Sequence, residues 1–372
     1  MASLTKAIRR TFSTSLSPIK TISEDLYKER NLKKLVSKFK QYSNITRFRT
    51  KTGIYESTVH RLVSAKKLKW VEEILEHQKQ YRPDITKESF NARLISLYGK
   101  SGLFKNAQKV FDEMPERSLK SVNALLGACV NSKKYDELET LFEELPEKVK
   151  VKRDVVTYNI MIKGLCDKGE LDKARGLVYE IEKNGLKPDL VTFNTILGAF
   201  YMNGKFDDGE KMWDLMVSKD VKPDIRSYNV KLVGLMNEDK ESEAVKLVGE
   251  LGSFELKPDV FTYGALIRGY CEKGNLEEAN KYYVELVKSK SAPTKAIFAS
   301  VISSACKKGD SDWVLELCKD VFKWKCHVNV DLLQGVVDGL VKSSRIQEAK
   351  EVVHLGKSND YHLYKLNLPS DD

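Results

Sequence analysis

The sequence predicts an all-α fold, a solenoid of stacked helix–turn–helix units. Three observations predict it. First, residues 155–189, 190–224 and 225–259 repeat one 35-residue pattern: VVTYNIMIKGLCDKGELDKARGLVYEIEKNGLKPD, LVTFNTILGAFYMNGKFDDGEKMWDLMVSKDVKPD and IRSYNVKLVGLMNEDKESEAVKLVGELGSFELKPD. A fixed period of this length marks a repeat array, not one closed core. Second, each copy holds two amphipathic segments. In 155–189 the first carries Tyr158, Met161, Ile162 and Leu165 at helical spacing, and the second carries Leu171, Ala174, Leu177, Val178 and Ile181. Third, Gly169 separates the two segments, and Gly185 and Pro188 close the second. Glycine ends helices in a left-handed turn, and proline cannot continue one. A single hairpin cannot bury its apolar face, so neighbours must stack.

Taken in order, residues 1–23 hold Lys6, Arg9, Arg10 and Lys20, many Ser and Thr, and no acid before Glu24. That is the composition of a transit peptide. Arg9 and Arg10 followed by Phe12 and Ser13 fit a mitochondrial address, with a plastid address as the other reading. Residues 24–51 are expected to be a basic helical segment. Residues 1–51 together carry 13 Lys/Arg against three acids, whereas residues 52–372 carry 50 of each sign. The whole net charge of +10 therefore sits at the N-terminus, and the array is balanced. Lys33, Lys34, Lys38 and Lys40 are the candidate phosphate contacts, if this segment is an RNA-binding arm and not a solvated first helix.

The array is expected over 52–362, with about eight or nine hairpins and degenerate ends. Residues 52–86 are weakly patterned. Residues 88–118 form a short unit with Gly102, Ala107 and Phe111, and 119–154 is one residue longer, with Asn123, Leu138, Phe142 and Asp154. Residues 260–294 keep Phe261, Tyr263, Gly274 and Ala279, while 295–329 and 330–362 keep only the hydrophobic spacing. Residues 363–372 are a tail.

Thr157-Tyr158-Asn159, Thr192-Phe193-Asn194 and Ser227-Tyr228-Asn229 open their units, and Lys-Pro-Asp closes them at 187–189, 222–224 and 257–259. In these residues the chain resembles the pentatricopeptide repeat family. The resemblance implies a right-handed α-solenoid that binds single-stranded RNA at one base per repeat. It also implies that the fifth residue and the last residue of each repeat choose the base, while an aliphatic second residue sandwiches it. Carried over, the pairs are Asn123 with Asp154, Asn159 with Asp189, Asn194 with Asp224, and Asn229 with Asp259. Such pairs favour uridine in the family. The second positions are Lys120, Val156, Val191 and Arg226, of which Val156 and Val191 follow the family preference. Ala92, Gly264 with Thr294, Ala299 with Asn329, and Gln334 form no reading pair. Asp after Pro is also an ordinary turn residue, but a turn does not explain Asn at the matching place on helix one.

Four uridine-preferring units specify about four bases. Competing sites for so short a tract are abundant, which suits a protein held in place by further contacts. WVEEILEHQ (70–78), FKNAQKVFDEMPERS (104–118), ACVNSKKYDELE (128–139) and ELKPDVFTYGALIRGY (255–270) resemble the short plant pentatricopeptide proteins of the small mitoribosomal subunit. That implies ribosomal RNA and ribosomal proteins as partners and the mitochondrial matrix as location. An organellar RNA-processing, stability or translation-activation factor and a protein–protein scaffold are the alternatives.

No catalytic role, cofactor, metal or small-molecule substrate is expected: the sequence lacks a Walker loop, HExxH, and His-x-Glu with a downstream CxxC. It also lacks an 18-residue apolar run, so no membrane partner is expected. Cys166, Cys271 and Cys306 share one place in helix one, with Cys129 one position earlier, and are expected to pack in the core. Cys318 and Cys326, near His327, form no metal-binding spacing.

Overall fold

The computed structural model describes residues 19–81, 84, 86–359 and 364–368. Among them the chain forms 21 α-helices and no strand. α1 (Ile19–Lys28), α2 (Leu32–Tyr42) and α3 (Thr46–Arg49) precede successive helix pairs. These are α4 (Thr52–Ser64) with α5 (Leu68–Glu76), α6 (Glu88–Lys100) with α7 (Phe104–Asp112), α8 (Leu119–Asn131) with α9 (Tyr135–Val149), and α10 (Val155–Lys168) with α11 (Leu171–Lys183). Then follow α12 (Leu190–Met202) with α13 (Phe206–Ser218), α14 (Ile225–Asn237) with α15 (Glu241–Glu250), and α16 (Val260–Glu272) with α17 (Leu276–Lys288). The last are α18 (Lys295–Lys308) with α19 (Ser311–Lys323), and α20 (Val330–Lys342) with α21 (Ile346–Ser358). The chain divides into two compact units, Met1–Pro188 and Asp189–Asp372.

The backbone keeps the period even where the sequence loses it. Within hairpins, Gly169, Gly204, Asp239, Gly274, Gly309 and Ser344 all have positive φ, each 35 residues after the last. Between hairpins the same holds for Lys150, Gly185, Asp220, Glu255, Lys290 and Lys325. A left-handed residue costs a non-glycine about 1–2 kcal/mol. The stacking of hairpins holds Lys290 and Lys325 there against that preference.

Helix starts are equally regular. Asp154, Asp189, Asp224 and Asp259 are the N-caps of α10, α12, α14 and α16, each closing a capping box with Thr157, Thr192, Ser227 or Thr262. Such a cap contributes about 1 kcal/mol. Each unit's last residue therefore starts the next unit's first helix.

Core side chains come from both helices of a hairpin and from its neighbour. In the first unit, Tyr158, Ile162, Ala174, Val178 and Ile181 are at most 1% exposed. The Phe142 and Tyr158 rings meet edge to face at 5.5 Å. In the second unit, Gly234 lets Tyr201 lie against α14, because a Cβ there would come within 2.5 Å of the Tyr201 ring. Cys129, Cys166, Cys271 and Cys318 are buried, and burial pushes the Cys129, Cys166 and Cys318 thiols up to about 12. Cys306 departs from the expected core position: it is exposed, although it holds the same repeat place as Cys166 and Cys271. On α18, Val301, Ile302 and Ala305 take the buried side, and Cys306 falls outside it.

The N-terminal helices are packed against the first hairpin. Phe39 lies 5.1 Å from Phe48 and 4.9 Å from Tyr55, ring to ring. Arg49 is buried in an ion pair with Asp84 and donates to Ser43 O. Of the expected transit segment 1–23, residues 1–18 lie outside the described residues. Residues 19–23 belong to α1, where Ile22 is 2% exposed. No described helix is long and apolar enough to cross a membrane.

Candidate nucleic-acid interface

Helix one of each central unit carries its Asn one turn in from the cap, and the next unit supplies the Asp. In the first unit, Asn123 Nδ2 donates to Asp154 Oδ1 at 3.3 Å, and Thr157 Oγ1 donates to Asn123 Oδ1 at 2.8 Å. In the second unit, Asn194 Nδ2 donates to Asp224 Oδ1 at 3.1 Å and its Oδ1 accepts from Ser227 Oγ at 2.6 Å. Asn229 repeats this with Asp259 at 3.0 Å and Thr262 at 2.7 Å. Each of these three pairs is thus a triad of amide, carboxylate and hydroxyl. The hydroxyl also lies near the carboxylate, at 2.8 Å for Thr157 and 3.1 Å for Ser227 and Thr262. It has one proton, so the shorter contact takes it in the second unit.

The triad fixes which way the amide points. A flipped Asn would set its oxygen against the carboxylate and its NH2 against a hydroxyl. In the observed orientation one amide N–H and one oxygen lone pair remain unspent on Asn194 and Asn229 among the bonds of the described residues. That donor and acceptor complement the carbonyl and N–H on the imide edge of uracil. Sequence reading found the Asn and Asp and missed the hydroxyl. Its signal was present, as the Thr or Ser that opens each unit's signature.

Burial alone would raise the Asp154 carboxyl. The Thr157 N–H and hydroxyl and the Asn123 amide outweigh it and hold the group below its ordinary value. Asp224 follows the same pattern, with burial opposed by Ser227 N–H, the Asn194 amide and the Ser227 hydroxyl. The carboxylates therefore stay ionised near neutral pH and keep orienting the amide.

Asn159 belongs to the first unit and Asp189 to the second. Asp189 caps α12 through Thr192 N–H at 2.9 Å. Thr294 and Asn329 also cap helices but stand beside Ala or Gly at the fifth place.

Exposed apolar side chains stand at the second positions. Val156 and Val191 are 53% and 56% exposed, unusually so for valines in a packed array. Phe261 stands at the same second position of the next unit but one and is 66% exposed. In the sequence its place in the hydrophobic register masks this exposure. Its aromatic face suits a base better than valine does. Lys120 and Arg226 are exposed at their second positions.

The four expected N-terminal phosphate contacts divide. Lys38 pairs with Asp25 at 2.8 Å and Glu29 at 3.1 Å, and Lys40 pairs with Glu73 at 2.9 Å. Lys33 and Lys34 are exposed.

The model of the PPR repeat family matches residues 153–200 and 188–237, and PPR repeat models match 93–119 and 254–283. A pentatricopeptide repeat domain model matches 109–168. The small ribosomal subunit protein mS78 (rPPR3a) of Arabidopsis thaliana is 54% identical over 173 residues, 45% of this chain and 43% of that protein. The small ribosomal subunit protein mS79 (rPPR3b) of the same plant is 54% identical over 162 residues, 42% of this chain and 41% of that protein. The chain thus spans less than half the length of these relatives. A pentatricopeptide repeat-containing protein of Arabidopsis thaliana named as mitochondrial is 34% identical over 184 residues, 47% of this chain and 46% of that protein. The crystal structure of the pentatricopeptide repeat protein PPR10 from maize superposes with a TM-score of 0.52 at 20% identity, covering 91% of this chain and 48% of that one, and shows the same fold. Through its repeats between residues 93 and 283, the chain belongs to the pentatricopeptide repeat family.

Proposed function

We propose that the chain is a non-catalytic RNA-binding protein of the small subunit of the mitochondrial ribosome. There it holds ribosomal RNA, contacts ribosomal proteins and supports translation in the matrix. The observation that carries the RNA part is the recurring triad, which orients an Asn amide toward a base edge at Asn123, Asn194 and Asn229. Asn159 with Asp189 is the fourth reading pair by register, and Val156, Val191 and Phe261 are the stacking faces. The ribosomal part is supported by the relatives named as small ribosomal subunit proteins. The mitochondrial address is supported by the basic, acid-free N-terminus and by the relative named as mitochondrial. Lys33 and Lys34 add phosphate contacts from the packed N-terminal helices.

The balanced charge of the array favours the same reading. Nucleic-acid grip normally comes from clustered Lys and Arg, and here many of these are already paired. Lys168 meets Asp136, Glu139 and Glu170, and Lys273 meets Asp239 and Glu241. A few oriented amides on a neutral surface suit an RNA held by surrounding contacts. A sucrose gradient of mitochondrial lysate tests this. Co-migration of the tagged protein with the small subunit at high salt is the expected result. Migration with a single transcript and no ribosomal enrichment would point to a processing or stability factor instead.

A further inference from the structure

Gln334 stands in α20 at the same repeat place as Asn159, Asn194 and Asn229, separated from them by multiples of 35 residues. Its carboxamide is already engaged. Nε2 donates to Asn367 O at 2.8 Å and to Asp338 Oδ1 at 2.8 Å, and Oε1 accepts from Asn367 N–H at 3.0 Å. An amide has two N–H donors, and both are spent. Asn194 and Asn229, by contrast, donate once to their carboxylates.

The partner is the chain's own C-terminal segment. Tyr364 and Leu366 are 1% and 0% exposed, while Lys365 and Asn367 face out, the alternation of extended backbone. Tyr364 accepts from Val328 N–H at 3.1 Å and sets its ring against Phe322 at 5.9 Å. These anchors carry Asn367 to the amide of Gln334. The substitution follows the central triads closely. Ser227 and Thr262, which donate to the Asn oxygens, lie 33 residues after them, and Asn367 lies 33 residues after Gln334. The backbone N–H of Asn367 takes the place of the hydroxyl, and its carbonyl that of the carboxylate.

We propose that Tyr364–Leu368 is a built-in occupant of the last base-reading position. The RNA track ends before Gln334, because this segment and Asp338 together take both of its N–H donors, and it reaches Gln334 only when one of them lets go. The inference rests on the base-reading account above. Gln334, once freed, presents the same donor and acceptor as the central Asn residues. With the segment in place, an open concavity of about 600 Å³ already lies beside the amide, lined by Gln334, Asp338, Lys342, Lys365 and Leu368.

The test uses the full chain and oligouridylates of increasing length, with dissociation constants from fluorescence anisotropy. Asn367→Pro removes the N–H that serves Gln334 Oε1 and leaves Tyr364 and Leu366 in place. Asp338→Ala releases one amide N–H without touching the segment, so it remains informative if the proline disturbs the last hairpin. The wild type should stop gaining affinity with length before the track passes Gly264 and Ala299. The combined variant should gain about fivefold or more on longer oligouridylates, the contribution of one further amide–base contact. Asp338→Ala alone should gain less, and adding Gln334→Ala should abolish the gain. Identical length dependence in wild type and variants would overturn the inference while leaving the central pairs standing. If the wild type shows no preference for oligouridylate at any length, the base-reading account falls, and this inference with it.

Discussion

Replacing Asn194 and Asn229 together by Ala separates base reading from folding. Asn229 is 8% exposed, and its side chain gives one hydrogen bond to Asp259 and takes one from Thr262. Asn194 has the same two bonds in a more open setting. Neither carboxylate is stranded by the change. Asp259 still accepts from Phe261 N–H, Thr262 N–H and the Thr262 hydroxyl, and Asp224 still accepts from Ser227. The loss is therefore the net worth of the bonds, about 1 kcal/mol each. That makes about 2 kcal/mol at Asn229 and less at Asn194, together about 3 kcal/mol in denaturant unfolding. A domain of ordinary stability survives this. Binding should change far more selectively. A bidentate amide contact discriminates between bases by about 1–3 kcal/mol, so losing two should cut the preference for oligouridylate over oligoadenylate by about 30-fold or more. Asn131→Ala is the control, since that amide donates only to Gly127 O. Competition anisotropy with the two homopolymers reads the result. A folded double variant that keeps its uridine preference would refute the assignment of these amides as readers.

The other predictions concern the same elements. Asp224→Ala should destabilise by about 1 kcal/mol through loss of the cap, while Asp224→Asn, an equally good cap, should stay near wild type in stability. Lys290→Gly and Lys325→Gly should each leave the fold intact and raise stability by up to about 1 kcal/mol, since both residues sit at positive φ; a drop in denaturation midpoint would contradict this. Phe261→Ala should weaken RNA binding by about 1–3 kcal/mol with little effect on stability, because its ring lies in solvent. Asp154 and Asp224 have folded values below the ordinary 3.8, so the unfolded chain takes up protons first as pH falls. Their stabilisation is complete above that value and is lost as pH drops through the folded values. In Asp224→Asn the acid-side loss of stability should be shallower than in wild type, as followed by circular dichroism.

Much of the fold is legible because the repeat constrains both chemistry and geometry. Gly169, Gly185 and the Lys-Pro-Asp closings mark helix ends for clear local reasons. Asp239, Glu255, Lys290 and Lys325 adopt the same left-handed turns with no glycine to announce them, since the packing of adjacent hairpins imposes the conformation. The Asn–Asp pairs are visible in the sequence as types at fixed spacing. Their geometry is not, because it depends on Thr157, Ser227 and Thr262 reaching back into the preceding unit. Phe261 was hidden by its double meaning, as one more apolar residue in an amphipathic pattern. The partners of Lys38 and Lys40 could not be read at all. Asp25 and Glu73 lie 13 and 33 residues away, and only the packing of α1, α2 and α5 brings them close. The engagement of Gln334 by the tail depends on the burial of Tyr364 and Leu366, which the short tail sequence does not signal.

Ultraviolet crosslinking of the tagged protein in purified small subunits, with the crosslinked nucleotides sequenced, tests the whole account most directly. It predicts crosslinks from the central repeats, α8 through α16, to uridines in a single-stranded segment of small-subunit ribosomal RNA, and their loss when Asn123, Asn159, Asn194 and Asn229 are replaced by Ala. Absence of small-subunit ribosomal RNA among the crosslinks, or an unchanged pattern in that variant, would contradict it.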